Sequence, residues 1–211
     1  DITYQLNYLK DNIFQEFLLP EALYITHAHI GHYTGLMYFG REALGSKNLL
    51  VKVLPKMSNF LKTNGPWSQL VNLNNIQIQN TKFDVSNSEL SNIDVIPIQV
   101  PHRDEYSETA GYIIIGKNKK ALFIPDIDKW EKWNENIQEV VEENDFSLLD
   151  GTFFDINELP GRDMSKLPHP FIVESLEALN DVRGKSGVYF IHLNHTNPAL
   201  NRNLCQLINC I

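Results

Sequence analysis

Cysteine is the first thing this chain lacks: it has two in 211 residues, Cys205 and Cys210, both in the last seven positions. So few cannot staple a disulfide framework, and their spacing makes no zinc motif, so both read as incidental thiols. Basic charge is scarce as well. Lys and Arg number 18 against 26 Asp and Glu, a formal net charge of -8, which argues against nucleic-acid backbone as a general partner. No run of about 18 apolar residues occurs, so no segment is expected to span a membrane. Internal repeats, low-complexity tracts and linkers are missing too, which leaves a single domain over 1–211 as the expectation. No targeting signal is visible. The chain starts at Asp1 without an initiator Met and reads like the interior of a longer protein. The cytoplasm is the expected compartment, with the periplasm as the alternative, and no pattern speaks to oligomeric state.

What is present is an ordinary globular composition, 43% hydrophobic and 21% charged, in a chain long enough to bury one sizeable core. Asp1 can cap a first helix whose apolar stripe is Leu6, Leu9 and Ile13. Strands are expected at Leu23–Thr26, Leu49–Leu54, Ile76–Ile78, Ile93–Val100, Tyr112–Ile115, Ala121–Ile124, Phe146–Leu149 and Val188–Ile191. Helices are expected at Gly35–Leu44 (stopped by Gly45), from Pro55 to about Lys62, at Trp130–Val141 and at Phe171–Leu179. Asn64-Gly65-Pro66-Trp67 reads as a turn, and 116–120 as the connection of a hairpin. Interleaved helices and strands define an α/β class with mixed sheet. Trp67, Trp130 and Trp133 are expected to pack rather than to build a cofactor platform.

The histidines carry the chemistry. Three of the seven, His27, His29 and His32, fall within six residues directly after a strand. His27 and His29 are two apart, so extended backbone turns both rings to one side. Gly31 lets the chain bend sharply, and His32 returns toward the same space as a helix begins. Three neutral imidazoles converging on a point make a ligand set for zinc, iron or manganese.

The later histidines sit near strand ends or helix starts, where open α/β sheets place functional loops. His102 follows a strand and Pro101. Asp126 follows another strand and Pro125, where its carboxylate is either an anionic ligand bridging two metals or the cap of a turn. His192 ends the last strand and is the favoured ligand there. His195, three residues on, is left as an outer contact or a substrate contact. His169, between two prolines at a helix start, is either an acid for a developing negative charge or a histidine without chemistry. Asp150, in Leu149-Asp150-Gly151-Thr152, belongs either to a site loop or to a turn cap.

This order resembles the metallo-β-lactamase superfamily: a strand, then HxHxxH, a later His102, then Asp126, and a terminal strand ending in His192. THAHIGHYTGL at 26–36, PHRDEYSETAGY at 101–112, LDGTFF at 149–154 and IHLNHTNP at 191–198 resemble the pyrroloquinoline quinone biosynthesis protein B family in particular. The resemblance covers most of the chain. It implies a metallo-β-lactamase-like αββα sandwich with mixed sheets, incomplete at the ends, with a strand hairpin expected before Asp1 and a further strand after Pro198. It also implies that His27, His29 and His102 hold a first metal, that Asp126 bridges, and that His32 and His192 face a second. His169 matches the substrate-side histidine of the phosphodiesterase-like branches.

One departure matters. The superfamily motif reads HxHxDH, and this chain has Gly31 where that Asp stands, which removes a ligand of the second metal and a relay for the proton of the attacking water. The expected activity is metal-dependent hydrolysis of a small ester or lactone, with one or two zinc ions, or iron or manganese in their place. Iron-dependent hydroxylation of a tyrosine-derived precursor of the quinone is the alternative enzyme. A metal-binding or carrier protein without catalysis is the alternative class.

Overall fold

Where each strand ends matters most here, because the chemistry-bearing residues follow strand ends. The computed structural model describes residues 2–87, 93–182 and 187–201. Asp1, Cys205 and Cys210 lie outside that range, as does the tail where a further strand is expected. Two compact units emerge, one made of residues 1–83 with 104–110, the other of residues 84–103 with 111–211.

In the first unit, α1 (Ile2–Leu9) runs into a wider turn at Lys10–Phe14. Of its expected apolar stripe only Leu6 is buried, and Ile13 is 58% exposed. After it come β1 (Ala22–Tyr24), α2 (Ile30–Tyr33), β2 (Leu49–Val53), α3 (Pro55–Thr63), α4 (Trp67–Asn72) and β3 (Ile76–Asn80). The three strands form a parallel sheet in the order β1-β2-β3, with Leu23 level with Val51 and Val51 level with Ile78. A central parallel strand is buried on both faces, which accounts for the nearly unbroken apolar run of β2. Phe39, Val51, Val53, Met57, Leu61 and Ile76 belong to its core. α3 starts at Pro55, whose missing N–H costs nothing at a first helical position.

The helix expected at Gly35–Leu44 starts earlier. Helical backbone begins at Ile30, directly after the extended His29, and continues as a tighter 3-10 turn through Phe39. Gly40 ends it, packed so closely that an added Cβ would lie 2.8 Å from Leu70 Cδ2. His32 therefore sits in the helical turn that opens this stretch. α4 was not expected; it follows the Gly65-Pro66 turn and places Trp67 against Tyr33, ring centroids 5.0 Å apart.

The second unit contains β4 (Asp94–Gln99), β5 (Ala110–Ile115), β6 (Lys120–Ile124), α5 (Ile137–Glu142), β7 (Phe146–Asp150), α6 (Ile172–Ala178) and β8 (Gly187–Ile191). Its sheet runs β4-β5-β6-β7-β8. β5 and β6 form the expected antiparallel hairpin, whereas β6-β7 and β7-β8 are parallel, so the sheet is mixed. The helix expected at Trp130–Val141 is divided into a 3-10 turn at Trp130–Lys132 and α5, because the Asn136 side chain caps a fresh start by accepting from Gln138 N–H at 3.0 Å. Trp130 and Trp133 pack as expected and donate their indole N–H groups to Ser175 Oγ and the Gln99 carbonyl, both at 2.8 Å. Leu122, Ile124 and Leu149 are fully buried, each contributing about 1.5–3 kcal/mol by leaving water. Because β6, β7 and β8 run parallel, Asp126, Asp150 and His192 emerge at one edge of one sheet, the position where α/β sheets bind ligands. Among the described residues no helix is long and apolar enough to cross a membrane.

Candidate metal centre

In the first unit the triplet is tied down ring by ring. His27 is 1% exposed. Its Nδ1 lies 3.0 Å from Thr26 Oγ1 and its Nε2 lies 2.8 Å from His29 Nδ1. The far nitrogen of His29, Nε2, meets Glu105 Oε2 at 2.8 Å. The His32 ring sits 4.2 Å from that of His27, and the His29 ring 4.4 Å, so two imidazoles gather around the third. The 104–110 segment fastens this stretch, with Ala28 N–H donating to Ser107 Oγ at 2.8 Å and Ala110 N–H to the Thr26 carbonyl at 3.0 Å. An added Cβ at Gly31 would meet nothing within 4 Å. The residue type alone, not crowding, keeps a carboxylate from that position.

The second unit supplies an acid-histidine cluster built around Asp150, which is fully buried. Asp150 Oδ2 accepts from Ile127 N–H at 3.1 Å and from His169 Nδ1–H at 2.9 Å. Its Oδ1 accepts from Thr152 N–H at 2.9 Å and from the Thr152 hydroxyl at 2.7 Å. The hydroxyl proton is thus committed, so Thr152 Oγ1 accepts from His192 Nδ1, 2.8 Å away. That fixes the His192 tautomer, with Nε2 as its deprotonated nitrogen. The sequence left Asp150 between site loop and turn cap. In the structure it bonds the backbone beyond Asp126, the ring of His169 and, through Thr152, the ring of His192.

Asp126 is 3% exposed. Its Oδ1 lies 3.3 Å from His102 Nε2 and 3.2 Å from His169 Nδ1. Asp126, Asp150 and His169 each offer a ligand atom, all within 4.8 Å of one another. Burial drives the His169 pKa down, but the hydrogen bond it donates to Asp150 and the charges of Asp150 and Asp126 outweigh it, against Arg103, and hold it above the ordinary histidine value. His195 is exposed and stands outside these hydrogen bonds. Gly151 has a structural task, since an added Cβ would lie 2.8 Å from Phe190 Cβ and 3.1 Å from the Ile191 carbonyl. It lets the chain leaving β7 run against β8.

Both sets suit a metal. Zinc bonds to nitrogen or oxygen at about 2.0–2.1 Å in a tetrahedron place neighbouring ligand atoms about 3.3 Å apart. The 2.8 Å between His27 Nε2 and His29 Nδ1 and the 3.3 Å between His102 Nε2 and Asp126 Oδ1 approach that edge. Sequence reasoning missed Thr26, Glu105, Ser107 and Thr152. All four lie inside the family-like stretches 26–36, 101–112 and 149–154, but a polar residue there announces no partner until the fold supplies one.

The fold and this donor set define a class. The chain matches the beta-lactamase superfamily domain over residues 16–193 and belongs to the metallo-β-lactamase superfamily. Within it, the chain resembles coenzyme PQQ synthesis protein B from Acinetobacter baumannii (strain ACICU), 29% identical over 122 residues, 52% of this chain and 39% of that protein. The chain thus spans well under half the length of that curated relative. The zinc-bound crystal structure of PqqB from Methylobacterium extorquens superposes with a TM-score of 0.72 at 17% identity, covering 90% of this chain and 68% of that one. CmlA, a diiron β-hydroxylase from Streptomyces venezuelae, shares the fold at a TM-score of 0.51 and 18% identity, over 82% of this chain and 36% of its own.

Proposed function

We propose that the chain is a metal-dependent hydrolase, similar to coenzyme PQQ synthesis protein B, acting on a small ester or lactone. The buried pair of His102 and Asp126, 3.3 Å apart at strand ends of a chain of this superfamily, carries the reading. By resemblance to the superfamily motif, His27, His29 and His102 would hold a first ion, Asp126 would serve as a shared ligand, and His32 and His192 would serve a second; zinc suits these nitrogen and oxygen donors. The formal charge of -8 favours a small substrate over a polyanion.

A divalent ion bound there lowers the pKa of its water to about 7 and polarises the oxygen of the bond to be cleaved. The protein's own groups do the rest. Asp150 fixes Nδ1 of His169 as a donor, which leaves Nε2 as the nitrogen that exchanges a proton with the leaving group. With Gly31 unable to take the water's proton, Asp126 is the acid left in the ligand set to receive it. The test is turnover of an ester and lactone panel by zinc-loaded protein, expected to vanish on chelation and in His102→Ala with folding intact. Absence of turnover in loaded wild type refutes the hydrolase.

A histidine-rich donor set with Gly31 in place of a carboxylate favours a second reading, an iron-dependent hydroxylase of a tyrosine-derived precursor, because such sites leave positions open for dioxygen. Metal analysis of protein purified without added metal separates the two. Iron with oxygen consumption supports hydroxylation, and zinc with ester turnover supports hydrolysis. Tight metal binding with neither reaction would point to a carrier.

A further inference from the structure

We propose that Glu105 is a positioning residue of the metal centre, holding His29 in the tautomer that offers Nδ1 to the ion. The inference rests on the reading that His29 is a ligand. A carboxylate only accepts hydrogen bonds. With Glu105 Oε2 2.8 Å from His29 Nε2, the proton of a neutral His29 ring belongs on Nε2, and Nδ1 carries the bare lone pair. That lone pair points at His27 Nε2, 2.8 Å away, so without metal His27 donates from Nε2 and its Nδ1 accepts from the Thr26 hydroxyl at 3.0 Å.

Binding an ion asks His27 to surrender Nε2. The ring does so by moving its proton to Nδ1, and the Thr26 hydroxyl, able to donate or accept, turns to accept it. His29 needs no such change, because Glu105 has already set it. The two partners therefore divide the work: Thr26 is a rotor that serves either state of His27, and Glu105 is a fixed selector for His29.

Glu105 is itself held in place by its neighbours in 104–110. Ser107 Oγ accepts from Ala28 N–H at 2.8 Å, between the two histidines, and the Glu108 carboxylate takes Lys56 N–H at the start of α3 at 3.0 and 3.2 Å. Thr109 Oγ1 donates to Asp104 Oδ1 at 2.8 Å. This chain thus carries a carboxylate on the outer side of its second histidine and none at position 31. An outer carboxylate raises the basicity of a ligating imidazole, and losing one costs about 10–100-fold in metal affinity.

The experiment measures zinc dissociation constants by chelator competition for wild type, Glu105→Gln, Glu105→Ala and His27→Ala, with imidazole nitrogen NMR shifts of metal-free wild type. Expected are an Nε2-protonated His29 in wild type, affinity about 10–100-fold weaker in Glu105→Ala, an intermediate value in Glu105→Gln, and the largest loss in His27→Ala. A His29 protonated on Nδ1, or a folded Glu105→Ala with wild-type affinity while His27→Ala loses binding, overturns the proposal. A wild type that binds no zinc refutes the metal-centre reading instead, and the nitrogen shifts still decide the tautomer.

Discussion

Replacing Asp150 with Asn tests the second unit's organisation at its most loaded point. The substitution keeps shape and removes charge. Each Asp150 oxygen accepts two hydrogen bonds, Oδ2 from Ile127 N–H and His169 Nδ1–H, Oδ1 from Thr152 N–H and Thr152 Oγ1–H. An amide has one acceptor oxygen, so one of these pairs must face its NH2 group. A side chain can adapt, His169 by exchanging tautomers or Thr152 by rotating its hydroxyl, but the backbone N–H of Ile127 or Thr152 cannot. At least one buried donor goes unsatisfied, at a cost of about 1–3 kcal/mol. Either adaptation also reverses a tautomer the site depends on, that of His169 directly or that of His192 through Thr152. Turnover should fall by about 10²–10⁴, the contribution of a positioned acid or base.

The pH dependence has a sign. His169 has a folded-state pKa above its unfolded value. Its stabilising contribution is therefore complete below the ordinary value near ~6.5 and is lost as pH rises through the raised folded value. In Asp150→Asn the hydrogen bond and charge that raise it disappear while burial remains, so that loss between slightly acidic and alkaline pH should flatten or reverse. Urea unfolding of chelator-treated wild type and variant at several pH values, with turnover of the zinc-loaded forms, measures both effects. Equal stabilities, parallel pH profiles and turnover within twofold would refute the reasoning.

Gly31→Asp should fold with a stability change within about 0.5 kcal/mol, because an added Cβ there meets nothing within 4 Å, and should raise the zinc bound per chain in elemental analysis. Thr152→Val keeps volume but removes the hydroxyl that orients His192; zinc affinity by chelator competition should fall about tenfold or more. Gly151→Ala should destabilise by about 1–3 kcal/mol in urea unfolding, since its Cβ would press on Phe190 and the Ile191 carbonyl.

The sequence made the strands of the second unit readable because alternating or continuous apolar runs end at prolines, glycines and acids, and Ala121–Ile124 and Phe146–Leu149 needed no tertiary help. The helical stretch after the histidines was misplaced because its start is set by the extended His29 and its stop by a glycine pressed against Leu70. Lys52 shows the same limit. It interrupts an otherwise apolar strand, yet it is fully buried, with its Nζ 5.8 Å from the Tyr24 ring.

Residue identity and spacing by themselves determined which groups can bind a metal: imidazoles two apart after a strand, and acids at strand ends. They also determined that Gly31 contributes no carboxylate. Tertiary structure alone decided which nitrogen of each ring is offered, because that depends on partners distant in sequence, Glu105 for His29, Asp150 for His169 and Thr152 for His192. A tautomer is chosen by what lies across a hydrogen bond, and only the folded chain brings those atoms within 3 Å.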